Sequence, residues 1–193
     1  MRRGWSAPGL TLGQFILSAC LGRQSKGRGG GFLFAGVFLL AATAAPALAR
    51  DSLGMFENWG AFRDPAVPRC YAIAQADKPR GAKVDYQAYA DVGHWPRRAL
   101  RNQIHFRLSK RLAPNAAIRL RVDTQDFVLA GGGGDAWAAD RRMDAAIVAA
   151  MRSGKAMRVR ARAADGRAIS DFYALPGAAS AIDAAALGCA AAG

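Results

Sequence analysis

The strongest constraint on the fold is a change of hydrophobic period within residues 140–177. Up to Met151 the apolar residues recur every third or fourth position, which is typical of a helix with one buried face. The carboxylate of Asp140 can cap the start of this helix, and Gly154 is expected to end it in the left-handed conformation. From Met157 onward apolar residues alternate with arginine, which is the period of a β-strand. The sequence therefore predicts one helix followed by one β-hairpin.

The turn of this hairpin is predicted at Asp165-Gly166, because two-residue turns need positive φ angles and favour this dipeptide. A two-residue loop there would place Arg160 directly opposite Asp171. The same register would put two apolar pairs on the side that faces the helix. These pairs are Val159 with Phe172 and Met157 with Ala174. We therefore expect the facing charges of Arg160 and Asp171 to set the register, and Asp171 to have a structural role.

Other segments alternate in the same way and are separated by turn-forming residues. The clearest are residues 69–74, 103–109 and 118–123, where apolar and polar side chains follow one another. An alanine-rich segment over residues 177–187 predicts a second, short helix after the hairpin. We therefore expect an α+β fold of mostly antiparallel β structure, a sandwich-like or curled sheet of about six to eight strands. One helix should precede the final hairpin and a short C-terminal helix should follow it.

The first 49 residues have the segment order of a secretory signal peptide. Residues 32–42 form a short apolar run behind a basic stretch, and Ala47-Leu48-Ala49 is a small-residue cleavage motif. The sequence predicts a signal peptide with a long n-region over residues 1–49 and a single domain over residues 50–193, located in the periplasm or secreted. Two alternatives are an uncleaved N-terminal anchor and lipidation at Cys20, whose context resembles a bacterial lipobox. The long n-region also leaves a downstream start codon open.

The charge of the chain argues against a dedicated nucleic-acid-binding protein. The chain has 27 basic and 14 acidic residues, and the first 50 residues hold six basic and no acidic ones. The rest has 21 basic against 14 acidic residues, a moderate net charge of +7. The basic segments also lack the interleaved aromatic residues of a nucleic-acid surface. No apolar run after the leader reaches the roughly 20 residues that span a bilayer, so no transmembrane helix is expected after cleavage.

Two cysteines follow the leader, Cys70 and Cys189, near the two ends of the domain. In an oxidising compartment, two lone cysteines of a small exported domain usually pair. A Cys70–Cys189 disulfide is therefore expected, and two separate buried thiols are the alternative. The chain has no C-x-x-C motif, so a redox-active pair is not expected.

Few residues suggest catalysis or a cofactor. His94 and His105 lack other ligands at the spacing of a zinc site, and both are expected to be partly exposed. Residues 131–134 are glycines without the Lys-Ser/Thr of a P-loop and are expected to form a flexible loop. Asp123 and Asp126 are expected to flank a turn through hydrogen bonds to the backbone. We therefore predict no catalytic residue, no metal site and no cofactor.

Arginine recurs at the polar positions of several predicted strands. If those strands are neighbours in the sheet, their guanidinium groups share one face. Guanidinium binds phosphate and carboxylate in a two-pronged geometry, so the pattern predicts an anion-binding surface. The candidate residues are Arg107, Arg119, Arg121, Arg158, Arg160 and Arg162. The alternative is an ordinary solvated face with cross-strand charge pairs.

A set of short motifs is spread over most of the chain, from Glu57 to Cys189. It consists of Trp59, Arg69-Cys70-Tyr71-Ala72, Met143-Asp144-Ala145-Ala146-Ile147 with Met151 and Gly154, Asp171-Phe172-Tyr173-Ala174-Leu175 with Gly177, and a small-residue tail. In this layout the chain resembles the invasion-associated locus B family of exported bacterial proteins. The resemblance implies a periplasmic or outer-surface β-rich domain, linked to host-cell entry in pathogens, with no catalytic residues. That family often has extra cysteines before the helix, where this chain has GGGGDAW and therefore no second disulfide.

Together these observations predict an exported, non-enzymatic envelope protein with a role in host or surface interaction. Its expected partners are anionic envelope components or another protein, and not nucleic acid. One alternative is a periplasmic hydrolase whose acidic site combines scattered residues such as Asp123 and Asp171. Another is a purely structural periplasmic module. The sequence predicts neither the identity of the ligand nor the oligomeric state.

Overall fold

The fold is described by a computed structural model over residues 50–77 and 84–190. The predicted signal peptide, including Cys20, lies outside the described residues. Within those residues the chain forms ten strands, two α-helices and one 3₁₀ turn. The strands are β1 (Asp51–Phe56), β2 (Trp59–Asp64), β3 (Arg69–Gln75), β4 (Tyr89–Trp95), β5 (Leu100–Arg107), β6 (Ile118–Val122), β7 (Gln125–Gly132), β8 (Asp135–Trp137), β9 (Ala156–Arg162) and β10 (Ala168–Ala174). The helices are α1 (Arg141–Ser153) and α2 (Ala178–Ala190), and the 3₁₀ turn is Pro96–Arg98.

The strands form one antiparallel sheet in the order β1-β2-β3-β4-β5-β8-β7-β6-β9-β10. Strand β5 pairs with β8 and not with β6, the next strand in the chain. Strand β6 instead lies between β7 and β9. The segment after β3 meets β10 through a bridge between Asp77 and Phe172, so the sheet curls. The expected α+β fold is confirmed, with one helix before the last hairpin and one after it. The described residues hold more strands than expected, partly because the three residues of β8 are too few to show an alternation.

The sequence predicted a flexible loop over the glycine-rich residues 131–134, but only Gly133 and Gly134 lie in a turn. Gly131 and Gly132 belong to β7 and pair with β8. A Cβ at Gly131 would collide with the backbone oxygen of Asp135. Glycine therefore lets β7 and β8 approach each other closely, which is a packing role.

Helix α1 begins where the sequence predicted, because Asp140 caps it. Its carboxylate accepts the N–H of Met143 at 2.8 Å, and Ile147 and Met151 are buried. The helix packs against β5, β6 and β7. The apolar face read from the sequence is therefore the face that contacts the sheet.

The end of α1 is also at the predicted position, but for a different reason. Gly154 has φ −80° and ψ 166°, so its backbone is extended and not left-handed. A Cβ at this position would lie 2.9 Å from the Ala150 oxygen and 3.0 Å from Cδ1 of Leu175. Glycine suits this position because a Cβ would be too close to its neighbours, and not because the backbone has a positive φ angle.

The register of the β9–β10 hairpin differs from the prediction by one residue, and Arg160 faces Ser170 rather than Asp171. The cause is the loop, which holds three residues instead of two. Gly166 has φ +80° and donates its N–H to the oxygen of Ala163 at 2.9 Å. Residues 163–166 thus form a turn that ends in a left-handed residue, which is the common three-residue hairpin loop.

This one-residue shift turns β10 over, since neighbouring side chains of a strand point to opposite faces. Asp171 and Tyr173 are buried, and Phe172 lies on the other side of the sheet, opposite Arg158. The expected apolar pairs are wrong, because Met157 faces Tyr173 and Val159 faces Asp171. A buried carboxylate therefore stands where an apolar contact was expected.

The expected disulfide is confirmed and ties α2 to the sheet. Cys70 of β3 and Cys189 of α2 are bonded, with Cα atoms 5.6 Å apart and a sequence separation of 119. Helix α2 packs against β1 to β4, next to α1. The two helices thus cover one side of the sheet, and we call the opposite side the outer face. Among the described residues, no helix is long and apolar enough to cross a membrane.

Candidate functional site

Four of the six candidate arginines lie side by side on the outer face. Strands β6 and β9 are hydrogen-bonded neighbours, as the prediction required. Arg119 faces Arg160, and Arg121 faces Arg158. These positions alternate with the fully buried Leu120 and its neighbours, so the arginines leave the sheet away from the helices. We call these four residues the arginine ladder.

Each arginine pair continues into the strands on either side of it. One row reads Val128, Arg119, Arg160, Ser170 across β7, β6, β9 and β10, and the other reads Asp126, Arg121, Arg158, Phe172. Val128 is 56% exposed, so the ladder is bordered by an apolar side chain at one end and by a hydroxyl and an aromatic ring at the other. Sequence reasoning missed Asp126, Ser170 and Phe172 as parts of this site, because only the register of β7 and β10 places them there.

In the second row the arginines have partners. Arg121 donates to the two carboxylate oxygens of Asp126 through Nε at 2.8 Å and Nη2 at 2.5 Å. This hydrogen-bonded pair raises the pKa of Arg121 and lowers the pKa of Asp126. Arg158 donates to Oγ of Ser170 at 3.0 Å and lies 5.1 Å from the ring centre of Phe172. These contacts hold the second row in a fixed orientation.

In the first row, Arg119 and Arg160 face each other without a hydrogen bond or ion pair to any described side chain. Like charges at directly opposite positions destabilise a sheet. The pKa of Asp126 is lowered mainly by its hydrogen bond to Arg121 and further by the charges of Arg119 and Arg160. Because that carboxylate is already paired with Arg121, an anion between the guanidinium groups of Arg119 and Arg160 would relieve their remaining repulsion.

The ladder lines a cleft of about 270 Å³. Its lining consists of the four arginines and Asp126. An adjoining cavity of about 290 Å³ lies between Arg119, Arg160 and Arg162. Arg162 therefore belongs to the edge of the site, although its Nη1 donates to the oxygen of Gly166 at 2.9 Å.

Arg107 is not part of the ladder, contrary to the prediction. It lies on β5, which β8 and β7 separate from β6. Its Nη1 donates to Asp135 at 2.6 Å, and its guanidinium lies 3.9 Å from the ring centre of Tyr86. The charge and the planar face of Arg107 are therefore already used within the protein.

A second cluster on the outer face surrounds His105. Its Nδ1 lies 2.8 Å from Asp91 and its Nε2 lies 3.1 Å from Asp135. Its ring stacks on Trp137 at a centroid distance of 5.1 Å, and Tyr89 meets it edge-on. His105 is partly exposed, as expected, but it is not an isolated residue.

The two carboxylates define the chemistry of His105. Burial alone would lower its pKa, but the hydrogen bonds to Asp91 and Asp135 outweigh burial and raise it. In the protonated ring both nitrogens donate, one to Asp91 and one to Asp135, so His105 links β4, β5 and β8. None of the described hydrogen bonds joins its ring to a hydroxyl or thiol, which differs from the arrangement of an activated nucleophile.

The expectation for the turn carboxylates is half right. Asp123 lies in the β6–β7 turn as expected, but it accepts the N–H groups of Lys155 at 3.0 Å and Ala156 at 3.1 Å, which belong to a distant segment and not to its own turn. Asp126 instead pairs with Arg121. Its role is electrostatic, within the arginine cleft.

Asp171 is buried and stands apart from Asp123. It accepts the backbone N–H of Ser109 at 2.9 Å, and burial raises its pKa. The two carboxylates are thus held by backbone groups of different segments and are not arranged as an acid pair. Among the described residues, no group of three His, Cys, Asp or Glu side chains could hold a metal ion.

Comparisons with known proteins add no assignment, since no family model, curated protein or solved structure matches the chain. The resemblance to the invasion-associated locus B family therefore stays a prediction. The geometry of the outer face is the basis on which a function can be argued.

Proposed function

We propose that this protein is an exported, non-enzymatic envelope protein that binds a phosphate-bearing surface through the arginine ladder. The observation that carries the proposal is the pairing of Arg119 with Arg160 directly across two strands, next to the pair of Arg121 and Arg158. Facing guanidinium groups repel each other, and a phosphate group bound between them accepts hydrogen bonds from both. Among the described residues, neither Arg119 nor Arg160 makes a hydrogen bond or ion pair to a side chain, and the nearby carboxylate of Asp126 is already paired with Arg121.

The surroundings of the ladder favour an extended surface over a small enclosed ligand. The cleft of about 270 Å³ lies below the roughly 300–1,000 Å³ of typical small-molecule sites, and it is lined only by charged side chains. Val128, 56% exposed, and Trp137, 39% exposed, are apolar residues of the outer face. A face that combines arginine with exposed apolar side chains suits the interfacial region of an anionic membrane.

The proposal is tested by sedimentation with vesicles of phosphatidylcholine, alone or mixed with phosphatidylglycerol. The protein should sediment only with the anionic vesicles, and sedimentation should fall as salt is added, because salt screens exposed charges over about 10 Å at 0.1 M. The double change Arg119→Ser with Arg160→Ser should lower the partition coefficient about thirtyfold, given roughly fivefold per basic residue at an anionic surface.

The matched control is Arg141→Ser with Arg142→Ser. These two arginines are exposed at the start of α1, on the helix side, and their removal changes the net charge by the same amount. The control should sediment like the unchanged protein. Equal losses in both double variants would show an effect of net charge alone, and no sedimentation at all would favour the purely structural module.

A further inference from the structure

A second cavity lies at the opposite side of the sheet from the arginine ladder, next to the disulfide. Its volume is about 390 Å³, which is in the range of small-molecule sites. His94, Arg101 and Asn102 supply its polar wall, and Pro96, Leu100 and Ala186 supply most of its apolar wall. It lies between the β4–β5 connection and the last turns of α2, and it shares no residue with the ladder.

His94 is the unusual residue of this cavity. It is 5% exposed, contrary to the expectation of a partly exposed histidine. Its Nε2 is buried and has no hydrogen-bond partner among the described residues. Burial lowers the pKa of His94, and the charge of Arg101 lowers it further, so both effects favour the neutral ring. A buried polar atom without a partner destabilises the protein, and a ligand that supplies the partner recovers that free energy.

A β-bulge places the other polar groups beside this ring. Gly93 pairs with Gln103, and Trp95 pairs with Leu100, so β5 has one residue more than β4 over this stretch. The extra residue brings both Arg101 and Asn102 opposite His94. Asn102 has φ +57°, the left-handed conformation that such a bulge can require.

We propose that this cavity binds a small organic carboxylate with an apolar body. Arg101 pairs with the carboxylate, and Nε2–H of His94 donates a hydrogen bond to it. The apolar body packs against Pro96, Leu100 and Ala186. Among the described residues that line the cavity, none is acidic and Arg101 is the only cation, so this lining selects a negatively charged head group.

The two histidines of the chain make a direct test possible by proton NMR. Benzoate is the probe, and benzamide, which has the same ring without the charge, is its matched control. Benzoate should shift the His94 ring signals saturably and raise the pKa of His94, because a bound anion favours the protonated ring. The signals of His105 should not move, since Asp91 and Asp135 already hold both of its ring nitrogens. Benzamide should have no saturable effect.

The benzoate affinity of three variants tests whether Arg101 of this cavity, and not another arginine, holds the carboxylate. Arg101→Gln should weaken benzoate binding about tenfold or more, the loss expected for a charge-assisted hydrogen bond. Arg98→Gln is the matched control, because Arg98 lies 5.0 Å from the ring centre of Trp95 and does not line the cavity. The change Arg119→Ser with Arg160→Ser should leave benzoate binding intact, whatever its effect on vesicles.

Three results would overturn the proposal. They are an unchanged His94 signal at saturating benzoate, an equal response to benzamide, and unchanged benzoate affinity in Arg101→Gln. Because the readout is the His94 ring itself, benzoate held at the arginine ladder alone would leave the signal in place and would count against the site.

Discussion

Breaking the Cys70–Cys189 disulfide should remove a large part of the stability of the domain. The bond closes a loop with a sequence separation of 119. For a loop of that length the chain-entropy relation gives about 4.9 kcal/mol at 25 °C. Domains of this size have a total free energy of unfolding of about 5–15 kcal/mol. Reduction should therefore leave the fold close to the limit of its stability.

Urea unfolding, followed by circular dichroism, measures this effect. Three samples are compared: the oxidised protein, the same protein reduced with dithiothreitol, and the double variant Cys70→Ala with Cys189→Ala. The reduced protein keeps both buried sulfur atoms and loses only the covalent bond, so its loss should approach about 4.9 kcal/mol. The double variant should lose somewhat more, because it also leaves unfilled space next to α2.

Thiol labelling after denaturation provides the control for the starting state. The oxidised protein should show no free thiol at Cys70 or Cys189, whereas labelling of both would indicate two separate thiols. A loss below about 1 kcal/mol on reduction would refute the entropic argument. It would mean that the reduced, unfolded chain retains structure that keeps Cys70 and Cys189 close to each other without the bond.

Two further changes should alter stability in defined ways. Gly177→Ala should lower the free energy of unfolding in urea by more than about 1 kcal/mol, because Gly177 has φ +88° and a Cβ there would collide with the Phe56 oxygen. Gly133→Ala is its control and should lower this free energy less, because Gly133 has φ +63° but open space around the added Cβ. Asp171→Asn should raise stability at neutral pH. Burial raises the pKa of Asp171 in the folded protein, so ionisation opposes folding above that pKa, and the opposition disappears as the pH falls below the unfolded value of about 3.9. The advantage of the variant over the unchanged protein should therefore vanish in acid, and an advantage that persists there would contradict the argument.

The sequence by itself determined the local structure. The apolar spacing and the cap at Asp140 specify α1, because both signals act within a few residues of the backbone they stabilise. The alternation in β6 and β9 determines that Arg119, Arg121, Arg158 and Arg160 lie on the face of their strands opposite the buried side chains. The two cysteines of the domain likewise sufficed to predict their bond.

Only the tertiary structure decided which of these residues meet. Arg119 faces Arg160 because β6 pairs with β9, a strand far away in the sequence. This pairing is possible because β8, and not β6, occupies the place beside β5 in the sheet. The same holds for His105, whose two carboxylates come from different strands.

The β9–β10 hairpin shows that the length of one loop can decide which residues face each other. One left-handed residue, Gly166, makes its loop three residues long. The resulting register buries Asp171, places Phe172 on the outer face and sets Ser170 opposite Arg160. A strand has a period of two, so a shift of one residue exchanges its faces. The alternation in the sequence is compatible with either register, and the contacts of the folded chain select one.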